Sequence, residues 1–285
     1  MAAGRRVKAD AAWTVRGPLR LADHDPGARP ARSSSREADQ ARLEALALEI
    51  DRLQTLMWAQ GQAPGPQAAR APRLLLVLQG MDTSGKDGTA RAVFGRCSPL
   101  GVRVAAFKAP TEEERARDFL WRVHAQVPRA GELVIFNRSH YEDVLVPVVE
   151  GGIDAAERDR RLAQIKAFER LLVESGTTLL KCFLHLSKAE QARRLQARLD
   201  DPDKRWKFQA SDLATRAKWD AYQAAYETAL AATSTAQAPW QLIPADSKSN
   251  RNLMVAERVV EALRALKLQA PPTDPALAGL RIDGD

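Results

Sequence analysis

The chain predicts an α/β protein with a parallel sheet, and three observations carry that prediction. Five short apolar runs recur between residues 74 and 245 without the polar alternation of half-exposed strands. Stretches of helical period separate them. The first run empties into a glycine-bearing turn that opens a helical segment, Gly80-Met-Asp-Thr-Ser-Gly85-Lys86.

Taken in order, residues 1–36 are rich in Arg, Ala, Pro and Gly with no steady period, which predicts a loosely ordered basic arm. Leu43, Leu46, Ile50, Leu53 and Met57 then recur at steps of three and four, the stripe of a helix docked on the main body. Two heptads are too short to favour a coiled-coil partner helix. "GQAPGPQAARAP" reads as a linker. The strands follow: "LLLVL" after Pro72, "VRVAAF" at 102–107, "ELVIF" at 132–136, "TTLLKCFLHL" at 177–186 and "WQLIPA" at 240–245.

Between them, "TEEERARDFLWRVHAQV" opens on a capping box, Thr111 with Glu114, and predicts a helix. "AAERDRRLAQIKAFERLLVES" carries Leu162, Ile165, Phe168, Leu171 and Leu172 on one face and ends at Gly176. "NLMVAERVVEALRAL" closes a main domain placed at residues 37–268. Residues 187–233 break the rhythm. They hold no strand pattern, are dense in Arg, Lys and Trp, and predict two helices joined at Asp200-Asp201-Pro202, an insertion suited to a mobile lid. Residues 269–285 are Pro-rich at their start and predict a frayed tail.

The bulk numbers restrict the classes of function. With 45% hydrophobic and 28% charged residues, the 285-residue chain has the composition of a globular protein with a sizeable core. Forty-three Lys and Arg against 36 Asp and Glu leave a formal charge of +7, which favours anionic partners without choosing among them. Cys97 and Cys182 lack CxxC spacing, which argues against a disulfide framework and for a reducing compartment. No apolar run reaches the roughly 18 residues of a bilayer span. The N-terminus has no secretory apolar segment, and Asp10, Asp23 and Asp25 weaken the transit-peptide flavour of "RPARSSSR", so a cytoplasmic location is expected.

The turn carries the chemistry. GxxxxGK after a buried strand and before a helix is a phosphate-binding loop, spanning Gly80, Met81, Asp82, Thr83, Ser84, Gly85, Lys86, Asp87 and Gly88. Its backbone N–H groups and the helix dipole attract phosphate oxygens, and Lys86 adds a point charge. The position that normally holds a Ser or Thr for magnesium is Asp87, which is expected to point away from phosphate. Asp82 is the better metal ligand, or a group that orients a substrate oxygen. A second acidic site is expected at the tip of "ELVIF", where Asn137 replaces the usual Asp and Arg138 follows as a phosphate grip. Glu142 or Asp143, one turn on, can return the missing charge; Glu142 is preferred. Lys108, Lys181, Arg193, Arg194, Arg198 and the "KRWK" cluster are candidates to line a channel for a polyanion, and Arg122 is a candidate to reach the active centre. Trp206, Phe208 and Trp219 are candidates to stack a base, and Trp240 reads as core.

"GMDTSGKDG", "FKAP", "DFLWR", "FNRSHYEDVLV", "KRWKF" through "WDAYQAAYETAL" and "ATSTAQAPWQLIPADSKSNRN", in this order, resemble the polyphosphate kinase 2 family over residues 37 to about 268. The resemblance implies a three-layer αβα P-loop kinase fold with a helical lid insertion. It implies a reversible, in-line, magnesium-dependent transfer of the terminal phosphoryl of inorganic polyphosphate to AMP or ADP, with manganese able to substitute. It also implies a homo-oligomer, dimer or tetramer, with no membrane or nucleic-acid partner. Residue by residue, it carries over to Asp82 as the loop acid, Lys86 as the loop lysine, Arg138 after the strand and Glu142 as the metal-side acid. The lid basics are Arg198, Lys204, Arg205 and Lys207. "FNRSHYED" resembles the branch that phosphorylates both AMP and ADP rather than the "FDRSWYNR" members acting on nucleoside diphosphates. His140 departs from that branch, where Tyr is usual, and no chemistry is assigned to it. Two rivals stand beside this reading: an ATP-dependent nucleoside monophosphate kinase of thymidylate-kinase type, and a non-enzymatic polyanion-binding protein on a kinase fold.

Overall fold

The computed structural model describes residues 11–272 and 279–282. The first ten residues of the expected arm and residues 273–278 and 283–285 of the expected tail lie outside the described residues. Five strands form one fully parallel sheet: β1 (Arg73–Gln79), β2 (Val102–Ala106), β3 (Leu133–Asn137), β4 (Thr177–His185) and β5 (Trp240–Pro244), ordered β2-β3-β1-β4-β5. Each expected strand appears where it was read. The helices are α1 (Arg36–Gly61), α2 (Lys86–Phe94), α3 (Glu112–Arg115), α4 (Trp121–His124), α5 (Glu142–Val149), α6 (Ala155–Glu174), α7 (Lys188–Asp200), α8 (Ala210–Ala217), α9 (Trp219–Thr233) and α10 (Lys248–Ala265).

The continuous apolar runs have a direct cause. Successive side chains of a strand point to opposite faces, and here both faces are covered. Leu75, Val77, Val134, Phe136, Phe183 and Leu242 pack on α5, α6 and α9. Their neighbours Leu74, Leu76, Ile135, Cys182 and Ile243 pack with α1, α2 and α10. The stripe of α1 is the docking face expected, with Ile50, Leu53 and Met57 buried. Ser35 caps its N-terminus by accepting from the Ala38 N–H at 3.1 Å.

Four expectations are corrected. From residue 12 on, the supposedly loose arm is packed: Thr14 forms an antiparallel bridge with Gln241, and the Val15 N–H donates to Trp240 O at 2.9 Å. Leu21 is buried and its N–H donates to Glu227 at 2.6 Å. An exposed edge strand invites pairing, and this segment covers the β5 edge. The helix expected over 111–127 keeps its capping box but is two single turns, α3 and α4. Asp118 breaks it, because its carboxylate accepts from the Leu120 N–H at 3.0 Å and draws the backbone into a local turn. The insertion lies between β4 and β5 as expected, but after α7 it has a short 3-10 turn at Arg205–Lys207, then α8 and α9 rather than one helix. Finally, α9 is core: Trp219, Tyr222, Tyr226 and Leu230 are buried, so residues 219–233 do not belong to a mobile lid. Among the described residues no helix is long and apolar enough to cross a membrane.

Candidate active site

The site lies where β1 and β3 end side by side, with Leu78 paired to Asn137. Gly80 leaves β1 at φ 149°, and a Cβ there would meet Leu184 O at 2.7 Å and Ser84 Oγ at 2.9 Å. The loop turns through Thr83 at φ 64°, the Ser84 N–H donates to Met81 O at 3.0 Å, and Gly85 at φ 101° precedes α2. The first N–H groups of α2 have no partner within the helix, so they face the loop as an anion-binding end.

Lys86, the first residue of α2, is buried. Its ammonium donates to Gly80 O at 2.7 Å and Met81 O at 3.2 Å. Burial, and then the positive charge of Arg138, push its pKa down to about 8 against the pull of Asp82, Glu142 and Asp87. Asp87 turns its carboxylate to the side-chain amide of Asn137, which donates to it. The expected metal-side strand tip is thus an amide–carboxylate pair.

Arg138, at φ 62°, draws the site together. It donates to Asp82 at 2.6 Å and to Glu142 at 3.1 Å. Burial works to lower its pKa, but Glu142 and Asp82 outweigh it and hold the guanidinium above its ordinary value. The two candidate acids separate cleanly: Glu142 joins the loop, whereas Asp143 pairs with Arg122 at 2.9 Å. Arg122 also donates to Lys108 O at 2.7 Å, so it braces the strand-end loop, and the Lys108 residue is exposed.

The structure removes several candidates and adds others. Lys181 is fully buried against Glu169 at 2.6 Å and Thr233 O at 2.8 Å, so it cannot line a channel. Arg194 is spent on backbone carbonyls, including Thr83 O at 2.9 Å. Trp219 is buried in the core and cannot stack a ligand base, while Trp206 is 75% exposed. Arg193 is an exposed partner of Glu190. In the insertion, Lys204 pairs with Asp201, Arg205 donates to Leu199 O at 2.9 Å, Lys207 lies over the Trp206 ring at 5.1 Å and Arg198 is 4.0 Å from Asp212. Asp212 itself escaped the sequence reading. Burial raises its pKa, as does Asp82 nearby, so α8 brings a further carboxylate toward the loop. Tyr226 on α9 also faces this cluster: burial and Glu142 raise its phenol well above the usual value. Both lie within the stretch from "KRWKF" to "WDAYQAAYETAL", where no spacing singles them out.

The donor set suits a hard divalent ion. Asp82 and Glu142 are oxygen ligands, and magnesium is typically held by one or two carboxylates plus substrate phosphates. Among the described residues no cluster of three or more His, Cys, Asp or Glu forms a complete protein cage, so phosphate oxygens would have to finish the shell.

A phosphate-binding loop at the sheet's carboxyl edge, a buried lysine and two acids bridged by an arginine define a phosphotransferase of the phosphate-loop class. Comparison with known proteins sharpens this. Residues 33–271 match the family model of Polyphosphate kinase 2 (PPK2). The chain is 53% identical over 240 residues to the AMP/ADP-polyphosphate phosphotransferase of Meiothermus ruber, covering 83% of this chain and 86% of that one. It is 41% identical over 221 residues to the ADP-polyphosphate phosphotransferase of Rhodopseudomonas palustris, covering 73% and 76%. The crystal structure of polyphosphate kinase 2 from Arthrobacter aurescens TC1 superposes with a TM-score of 0.88 at 44% identity, covering 96% of this chain and 95% of that one. The chain belongs to the polyphosphate kinase 2 family.

Proposed function

We propose that this enzyme transfers the terminal phosphoryl group of inorganic polyphosphate to AMP and ADP, reversibly and with magnesium, as a cytoplasmic homo-oligomer. The observation that carries the reading is that Arg138 and Glu142, from the start of the segment after β3, meet Asp82 on the loop that holds Lys86. The acceptor range follows the names of the 53% and 41% identical relatives, one for AMP and ADP and one for ADP.

The electrostatics support a metal. Lys86 and Arg138 bring two cations against the three carboxylates of Asp82, Glu142 and Asp87, so the loop by itself offers a polyanion no surplus of positive charge. Magnesium, when bound by Asp82 and Glu142, neutralises phosphate charge. The remaining work falls to the chain. The loop N–H groups orient the phosphates in line. Lys86 stabilises the charge of the phosphoryl in flight. Arg138 exchanges its carboxylate partners for phosphate oxygens. An acceptor phosphate oxygen is already ionised at neutral pH, so no strong general base is needed. Asn137 and Asp87 hold the strand tip to α2. Arg198, Lys204, Arg205 and Lys207 on the insertion, with exposed Lys108, track the polymer.

Supplying AMP, ADP or GDP with long-chain polyphosphate and magnesium, without ATP, tests the reading. ATP should form from AMP and from ADP. Absence of ATP, together with ATP-dependent transfer to a monophosphate, would establish the thymidylate-type rival. No turnover in the unaltered chain, with full polyphosphate binding kept by Lys86→Ala, would establish the non-enzymatic one.

A further inference from the structure

Two more guanidinium groups reach the loop backbone, from elements outside the site. Arg194, on α7, donates to Thr83 O at 2.9 Å and Ser84 O at 3.2 Å, and to Ala245 O at 2.7 Å and Asp246 O at 2.9 Å. Arg251, on α10 and 3% exposed, donates to the same Ser84 O at 3.0 Å. A Cβ on Gly85 would lie 1.9 Å from Arg251 Nη1, so this glycine leaves the space the guanidinium fills. A third contact ties α7 to the loop: Gln191 donates to Asp82 O at 3.1 Å.

A trans peptide points its C=O and the following N–H in opposite directions. Two guanidinium groups on the Ser84 carbonyl therefore turn the Gly85 N–H the other way, as a phosphate cradle requires. The segment they fix also holds unmet polar groups: the buried hydroxyl oxygens of Thr83 and Ser84 have no hydrogen-bond partner.

Holding a carbonyl does not require charge. Yet two like charges meet at this one. Arg194 has a carboxylate partner, Glu190, at 2.7 Å. Arg251 has the neutral oxygens of Ser84 and, at 2.9 Å, Asn252. Burial and the neighbouring Arg194 pull Arg251 below its ordinary pKa. A buried charge of this kind costs free energy in the empty protein, and an anion seated on the loop offsets that cost.

We propose that Arg194 and Arg251 form a clamp that presets the Ser84–Gly85 peptide for phosphate, and that the charge of Arg251 adds to the loop's attraction for the polyphosphate donor. The second half rests on the phosphotransferase reading above. Lysine keeps charge but loses the planar fork, so the full-length variants Arg251→Lys, Arg251→Gln and Arg194→Lys separate geometry from charge. Tripolyphosphate affinity by calorimetry should fall about 10- to 100-fold in Arg251→Gln and less in Arg251→Lys. The KM for polyphosphate should rise in parallel, and the Gly85 amide signal should shift in spectra of ¹⁵N-glycine-labelled protein. Wild-type affinity with an unmoved Gly85 signal would overturn the clamp, as would losses that only track a fall in melting temperature. Arg194→Lys carries the test should Arg251→Gln fail to fold. If the unaltered chain binds tripolyphosphate but makes no ATP from polyphosphate, the activity reading fails, while the affinities and the Gly85 signal still decide the clamp.

Discussion

Tyr141 and Glu142 are neighbours in the chain but belong to two polar clusters of opposite character. Tyr141 faces a sealed one. Lys181 Nζ donates to Glu169 at 2.6 Å, Thr233 O at 2.8 Å and Tyr141 Oη at 3.3 Å, which uses all three ammonium protons. The Tyr141 hydroxyl lies 2.6 Å from Glu169, and Trp240 Nε1 donates to Thr233 Oγ1 at 3.0 Å. Burial works to raise the Glu169 carboxyl, but Lys181 and His140 overcome it and hold it below the usual range. Glu142 faces the open cluster. There Lys86 has two neutral carbonyls for partners, and Arg138 remains 40% exposed at its side chain. Both lysines are buried and both belong to polar networks. The difference lies in what is left over: Lys181 has spent its donors on buried partners, whereas Lys86 and Arg138 face an open site.

That contrast can be broken most forcefully at Lys181. Lys181→Met leaves Glu169 buried without its ammonium partner and should cost about 3–5 kcal/mol of stability, read by urea unfolding. Turnover per folded molecule should be unchanged, and Lys181→Met with Glu169→Gln should recover much of the loss. A stable Lys181→Met protein with no turnover would move Lys181 into the active site.

Lys86→Met should do the reverse. Turnover should fall about 10²–10³-fold, which is about 2.7–4 kcal/mol of transition-state stabilisation. Stability at pH 7 should not fall. The folded pKa of about 8 lies below the ordinary 10.5, so the charged form is disfavoured by folding. The unfolded chain binds more protons between those values, so this contribution makes stability rise with pH across that window and is fully adverse below it. Paired thermal melts and ATP assays check both halves. A Lys86→Met protein that is markedly less stable would erase the distinction between the clusters.

The alkaline limb of the pH profile should give the smallest effect. With Lys86 titrating near pH 8 in the free enzyme, kcat/KM should decline above that pH. Arg138→Gln removes the repelling cation and releases Asp82 and Glu142, both of which favour the ammonium. Its alkaline limb should therefore move to higher pH, apart from any fall in absolute rate. A limb that moves down would show that Lys86 and Arg138 are not neighbours electrostatically.

Legibility followed the range of the interactions. The strands were readable because a strand covered on both faces must be apolar throughout, as "LLLVL" and "LVIF" are. The loop was readable because Gly80, Asp82, Gly85 and Lys86 sit within seven consecutive residues of the chain. The helix over 111–127 was misjudged even though its capping box was real, since Asp118 ended it by a local side-chain bond. Lys181 carries a local signal: a charge between Leu180 and Cys182 in an apolar strand points to a buried pair more than to a channel wall. Arg194 and Arg198 had no such signal. They sit one turn apart on α7, yet the first reaches the Thr83 carbonyl and the second stands 4.0 Å from Asp212.

By itself, the order of residues determined the strands and the glycine-bearing turn that holds Asp82 and Lys86, because each rests on periodicity or on short spacing along the backbone. Only the tertiary structure decided that Glu142 rather than Asp143 meets Arg138, that the segment from residue 12 closes the β5 edge, and that Arg251 fills the space beside Gly85. Those outcomes depend on which surfaces come together after the chain has folded, and residues 166 positions apart, such as Gly85 and Arg251, leave no local pattern of their meeting.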